Sequence, residues 1–315
     1  MVEFRIRGVV PVIPTPFGED GTIDHESLRA LIEFAWRAGA CAACLPAYAS
    51  EFYKLAEKER EEALATAIDA GRGRIPIIAQ VNHPSLRLAR EAAVRAAAMG
   101  ASAVNVGTPR LFALGERDLR RYFDGILKAV DLPVVIQDFN PGGPTIEAEF
   151  IAALHLAHPH FRYVKLEEAM MAGKAERILE ATGGKVGVIE GWGGMYILEL
   201  IQAGICGVMP GLALADVLQH VFRLASSGDR EGAYDAFRGV LPQIVFSLQN
   251  LELFHHAEKL LLEARGVLGP TAVREASLEL NPHDLAHIRF LNGRVLALLD
   301  ALGLPRNPLA AGHAA

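Results

Sequence analysis

Several features that would mark common functional classes are scarce or missing in this chain. Only three cysteines, Cys41, Cys44 and Cys206, occur in 315 residues, all in apolar contexts, so a disulfide framework is not expected. Cys41 and Cys44 make a CxxC, but no second CxxC and no histidine pair follows at ligand spacing, which favours buried packing over zinc or redox chemistry. The eleven histidines contain no HExxH or comparable pattern, His255-His256 reads as a surface pair on a helix, and no metal is expected. No nucleotide-binding glycine motif follows any predicted strand, so no cofactor is implied. A basic run is missing too: the net charge is −6 and the pI about 6.0, which argues against a nucleic-acid partner. No stretch approaches the ~18 uncharged apolar residues of a membrane span. The opening "MVEFRIRGVVPVIPTPF" lacks an apolar targeting core followed by a cleavage site. The expectation is a soluble, cytoplasmic protein without a membrane partner.

What is present has a rhythm. Short β-rich runs, "GVVPVIPTPF", "CAACLP", "PIIAQV", "SAVNVG", "PVVIQD", "RYVKLE", "VGVIEG" and "CGVMPG", alternate with amphipathic stretches such as "ESLRALIEFAWRAG" and "SLRLAREAAVRAAAMG". The runs are nearly continuous in apolar character, as parallel strands covered on both faces require. Eight such units predict an α/β fold, a (βα)8 TIM barrel over residues 1–229. From residue 230 to 308 the pattern is helical only, predicting a three-helix C-terminal region whose last member is capped by Asn281 with Pro282 in its first turn. Residues 309–315 read as a loose tail.

On this frame the sixth strand raises a chemical question. It carries a lysine, and strand alternation puts Val164 and Leu166 toward the helices while Tyr163, Lys165 and Glu167 face the barrel interior. An ammonium group there is costly unless paired or deprotonated. One reading is an internal Lys165–Glu167 pair that fills a barrel layer. The other is a Schiff-base lysine, because a neutral amine is the nucleophile and burial raises the neutral fraction.

The barrel with its helical appendage, the opening "GVVPVIPTPF", the segment "YASEFYKLAEKER" and the sixth-strand "YVKLEEA" together resemble the dihydrodipicolinate synthase and N-acetylneuraminate lyase superfamily. That resemblance covers essentially the whole chain. It implies that Lys165 forms an imine with a 2-keto acid, that the ligand is a small molecule, and that the protein is a homo-oligomer, a tetramer or a dimer.

The chain also departs from the family pattern. The usual Gly-Thr-Thr-Gly-Glu run after the second strand is Ala47-Tyr48-Ala49-Ser50-Glu51 here, which leaves the amides of Ala49 and Ser50 and the hydroxyls of Tyr48 and Ser50 as candidate carboxylate ligands. Tyr48 could equally pack at the barrel mouth. The proton-relay tyrosine of the fifth strand is replaced by Gln137, and its neighbour Asp138 is given a structural hydrogen-bonding role. "NPGGPTIEAE" has no arginine to hold aspartate semialdehyde, and "GTPRLFALG" carries Arg110 and Leu111 where a second tyrosine is usual. Glu167 and Glu190 become the candidate acid–base groups, with Glu190 alternatively in a rim salt bridge. Gly191, Trp192 and Val208 complete the expected lining, although Trp192 could instead only close the barrel end. These changes resemble the 2-keto-3-deoxy sugar-acid dehydratases of the superfamily. A retro-aldol 2-keto-3-deoxy acid aldolase, the synthase itself, and a non-catalytic keto-acid-binding barrel are the alternatives.

Overall fold

The structure is a computed structural model that describes residues 4–109, 114–139 and 146–310. Eight strands form one all-parallel sheet: β1 (Gly8–Val9), β2 (Ala43–Leu45), β3 (Ile77–Gln80), β4 (Ala103–Gly107), β5 (Val134–Asp138), β6 (Phe161–Leu166), β7 (Gly187–Glu190) and β8 (Gly207–Val208). Each strand from β2 pairs with the next, and β8 pairs with β1. The last seam closes beyond the short β1, where Cys44 N donates to Pro11 O and Ile13 N donates to Cys44 O, both at 3.0 Å. Between the strands run α1 (His25–Arg37), α2 (Glu57–Gly71), α3 (Leu86–Met99), α4 (Glu116–Leu127), α5 (Ala148–Ala157), α6 (Met171–Thr182), α7 (Ile197–Gln202) and α8 (Ala215–Ser226). This is the TIM barrel that the alternation predicts.

Local chemistry sets the helix ends. Asp24 accepts from the amides of Glu26 and Ser27 and so starts α1, whose Leu28, Leu31, Ile32 and Ala35 then fall on one buried face. Gly100, with φ of 99°, ends α3 in the left-handed conformation that glycine adopts without a Cβ penalty.

The strands sort their side chains into two layers. Cys44, Ile78, Ala103, Val135, Tyr163, Ile189 and Met209 fill the barrel interior, while Leu45, Ala79, Val104, Ile136, Val164, Leu166, Val188 and Val208 join the helices in the outer core. Burying one such aliphatic side chain is worth about 1.5–3 kcal/mol. A one-residue slip would expose a whole row, so the register is firmly specified.

Among the described residues four helices follow, not three: α9 (Arg230–Arg238), α10 (Leu241–Ser247), α11 (Leu251–Ala264) and α12 (Pro282–Leu302). The break comes at Gly239-Val240, because Pro242 lies in the first turn of a new helix. Asn281 caps α12 as predicted, and Asp284 completes a capping box with it. Val240, Ile244, Leu261, Leu262, Val295 and Leu299 join the core of the barrel's helical layer and tie the appendage to it, while Leu253, Ala257 and Ile288 form a small cluster of the appendage's own. Leu309 packs on that same core, and Asn307 donates to Gly266 O at 2.6 Å, so the anchored chain reaches past the point where a loose tail is predicted. Residues 311–315 lie outside the described residues. Among the described residues no helix is long and apolar enough to cross a membrane.

His255 corrects a second expectation. It is buried, not a surface residue, and its Nε2 lies 3.1 Å from the Tyr53 hydroxyl. Burial pushes its pKa down to about 3, so the ring stays neutral. α11 is buried nearly all round because the loop after β2 lies against it, with Lys259 bonded to Glu51 Oε1 at 2.5 Å and Lys54 to Glu252 Oε2 at 2.8 Å.

Candidate active site

A pocket of about 450 Å³ opens at the C-terminal end of the strands. That is the end at which catalytic groups gather in this architecture. Lys165 and Glu167 form its floor, and Tyr48, Ala49, Gln137, Gly191 and Trp192 line it. Lys165 Nζ lies 2.6 Å from Glu167 Oε1, and Gln137 Nε2 donates to the same oxygen at 2.9 Å. All three side chains are nearly inaccessible to solvent. Water screens this pair poorly, so removing one partner would strand a buried charge. Cys44 sits beneath the lysine, and burial pushes its thiol up to about 11, which keeps it protonated.

Gly191 matters for what it lacks. A Cβ there would run into Glu167 Cγ and lie 2.6 Å from Lys165 Cε, so any side chain at 191 displaces those two side chains. Trp192, next along, stacks on Tyr196 with ring centroids 6.0 Å apart and forms one wall. Across the mouth, Tyr48 meets Phe139 edge-on at 5.6 Å.

Three expected site residues, the ligands Ser50 and Val208 and the acid–base candidate Glu190, are placed elsewhere. The Ser50 hydroxyl donates to Ile13 O at 2.5 Å and accepts from Ala47 N at 2.9 Å, and its own amide donates to Ala47 O, so Ser50 holds the loop shape and does not face the pocket. Val208 points into the helical layer, and Met209 takes the inward position. Two-residue β8 makes that parity hard to read from sequence.

Glu190 is the third. It pairs in register with outward-facing Leu166, and its carboxylate accepts from Trp192 N at 3.0 Å and Gly194 N at 2.8 Å. It therefore holds the glycine turn that carries Trp192 and does not line the pocket. Burial pushes its pKa up to about 7 against the stabilising pull of those amides. Glu258 of α11 repeats the device after β8, accepting from Ala213 N at 2.7 Å, and is likewise pushed up to about 7 by burial.

Asp138 takes the hydrogen-bonding role given to it. Facing away from Gln137, it accepts from Ile146 N at 3.1 Å and pairs with Lys174 at 2.7 Å. Arg110, Leu111 and the 140–145 part of the arginine-free segment lie outside the described residues.

Sequence reading missed part of the site. Gln80 and Asn105 are buried inside the barrel and hydrogen-bonded toward Gln137. Their signal is a lone amide at an inward position of the otherwise apolar "PIIAQV" and "SAVNVG". Leu248, Gln249 and Asn250 from the turn between α10 and α11, with Leu251 and Phe254 from the start of α11, close one side of the mouth, a contribution that only the tertiary fold reveals.

Comparison with known proteins gives a consistent result. The family model described as the dihydrodipicolinate synthetase family matches residues 5–287. An L-2-keto-3-deoxyarabonate dehydratase of Azospirillum brasilense is 26% identical over 288 residues, covering 90% of this chain and 93% of that protein. A probable 2-dehydro-3-deoxy-D-pentonate aldolase of Escherichia coli is 25% identical over 162 residues, 51% of this chain and 54% of that protein. The solved 4-hydroxy-tetrahydrodipicolinate synthase of Methylacidiphilum fumariolicum superimposes with a TM-score of 0.86 at 19% identity, covering 95% of this chain and 99% of that one, which is a likeness of fold.

Proposed function

Because this chain belongs to the dihydrodipicolinate synthetase family of lyases, we propose that it is a Schiff-base dehydratase of 2-keto-3-deoxy sugar acids, the reaction class named for its Azospirillum relative. The observation that carries the reading is the placement of Glu167 Oε1, 2.6 Å from Lys165 Nζ and 2.9 Å from Gln137 Nε2. A base so close to the imine nitrogen is in reach of the adjacent carbon, and Gln137 occupies the position of the family's relay tyrosine without having a proton to exchange.

The residues account for each step. Lys165 attacks the C2 carbonyl and water leaves, giving the imine. The imine draws electrons from C3, and Glu167 removes a C3 proton to form the enamine. The enamine electrons then expel the C4 hydroxyl, which takes the proton from Glu167 and departs as water. Tautomerisation of the unsaturated product and hydrolysis of the imine give free Lys165 and, from a pentonate, a keto-semialdehyde. The pocket has room for a small 2-keto acid. The homo-oligomer implied by the resemblance belongs to the same proposal.

A panel of 2-keto-3-deoxy pentonates and hexonates, assayed in parallel for the dehydration product, a keto-semialdehyde from a pentonate and a 2,5-diketo acid from a hexonate, and for pyruvate, tests this. Dehydration product without pyruvate is expected. Pyruvate from any member of the panel would make the enzyme an aldolase, and no product from any member would overturn the reading.

A further inference from the structure

Three amide side chains continue the hydrogen bonding away from Glu167 across the barrel. Asn105 Nδ2 donates to Gln80 Oε1 at 3.3 Å, Gln80 Nε2 donates to Gln137 Oε1 at 2.8 Å, and Gln137 Nε2 donates to Glu167 Oε1 at 2.9 Å. They come from three neighbouring strands, β4, β3 and β5, and occupy inward positions just above the apolar interior of Ile78, Ala103 and Val135. Each is at least nine-tenths buried.

An amide has a donating end and an accepting end, so a chain of three has a direction. Here every NH2 group points toward Glu167. That direction suits an ionised carboxylate, which only accepts. It has a cost at the far end, where Asn105 Oδ1 is buried without a hydrogen-bond partner. Turning all three amides over would reverse the direction and place Asn105 Nδ2 at the unpartnered far end instead: Gln80 Nε2 would donate to Asn105 Oδ1, Gln137 Nε2 to Gln80 Oε1, and a protonated Glu167 would donate its O–H to Gln137 Oε1.

We propose that Asn105, Gln80 and Gln137 form a reversible amide relay that positions Glu167 and matches it in both protonation states. The inference rests on the reading that Glu167 moves the C3 proton. One orientation serves the carboxylate before proton abstraction, the other serves the carboxylic acid after it. No proton travels along the amides; the proton stays on Glu167 until the leaving hydroxyl takes it. Gln80 and Asn105 do not line the pocket and are positioning residues that act through Gln137. The other titratable groups around Glu167 are Lys165 beside it, Glu190 on β7, Cys44 beneath the lysine and Tyr48 at the mouth.

The half-reaction on pyruvate isolates this step. Exchange of the pyruvate methyl hydrogens in D2O, followed by NMR across pH, needs only imine formation and the base, and borohydride trapping at Lys165 monitors the imine separately. In Gln80→Met the hold on Gln137 is lost, so the ionised Glu167 loses a steady donor and the acidic limb of the exchange profile moves up by about half to one pH unit. Asn105→Ala moves it the same way by less. Gln80→Glu, almost the same shape but accepting only, draws the Gln137 NH2 away from Glu167, and exchange falls further than in Gln80→Met, by about tenfold or more. A merely structural role would lower melting temperature and leave the limb in place. Wild-type enzyme without an adduct at Lys165 overturns the imine reading and the relay with it. Normal adducts in whichever of the three variants fold, with unmoved acidic limbs, overturn the relay alone.

Discussion

Glu167, one residue past the end of β6, and Glu190, the last residue of β7, are both buried carboxylates at the same end of the barrel. Glu167 continues the inward row of Tyr163 and Lys165, and its partners are side chains, Lys165 and Gln137. Glu190 stands on the outward row opposite Leu166, and its partners are the backbone amides of Trp192 and Gly194. A carboxylate held by amides of its own chain fixes a loop. A carboxylate beside an amine at the floor of a pocket is placed to meet a ligand. Composition makes the two residues alike, and strand parity separates them.

The largest contrast is expected in Glu167→Gln, which keeps size and removes the base. Turnover should fall by about 10²–10⁴-fold while imine trapping survives. The same change at Glu190 should leave turnover within about tenfold, because Trp192 N keeps an acceptor at that site. If the two variants lose turnover equally, parity does not assign the roles.

Gly191 lies between the two glutamates and sharpens the comparison. Gly191→Ala puts a methyl group against Glu167 Cγ and Lys165 Cε. A displacement of this kind is expected to cost roughly 100-fold in kcat/KM, with the melting temperature changed far less than turnover. Wild-type kcat/KM in this variant would show that the floor of the pocket yields easily.

The smallest effect concerns stability. Burial raises the Glu190 pKa to about 7. The native state therefore binds that proton more tightly than the unfolded chain does, and stability falls as pH rises from the ordinary carboxyl range toward 7, by at most about 3 kcal/mol. Above pH 7 this contribution is level. Urea midpoints between pH 5 and 8 should show a shallower decline in Glu190→Gln than in wild type. Some slope will remain from Glu258, which burial pushes up to about 7 as well. Equal slopes in the two proteins would mean that Glu190 ionises freely in the native state.

Much of this was open to reading from sequence. The βα rhythm fixes the barrel because parallel strands need two apolar faces, and β6 is long enough for alternation to place Lys165 and Glu167 inward. Legibility fails where a strand is too short to show parity, as at Val208 in β8, or where the chain turns at once, as at Glu190. It also fails where burial comes from a distant segment. His255 looks like a surface residue until the loop after β2 is laid against α11, and Ser50 looks like a ligand until Ile13 O is found 2.5 Å from its hydroxyl. Gln80 and Asn105 were visible as isolated amides in apolar strands, but their link to Glu167 depends on four strands meeting in one layer.

The central claim is that Lys165 is the nucleophile, although Lys174 and Lys259 are also buried and paired with carboxylates. Borohydride reduction in the presence of pyruvate, followed by intact-mass measurement and peptide mapping, tests it most directly. The account predicts one covalent adduct per chain, on the peptide carrying Lys165, and none in Lys165→Met. An unchanged mass, or an adduct on Lys174 or Lys259, would contradict it.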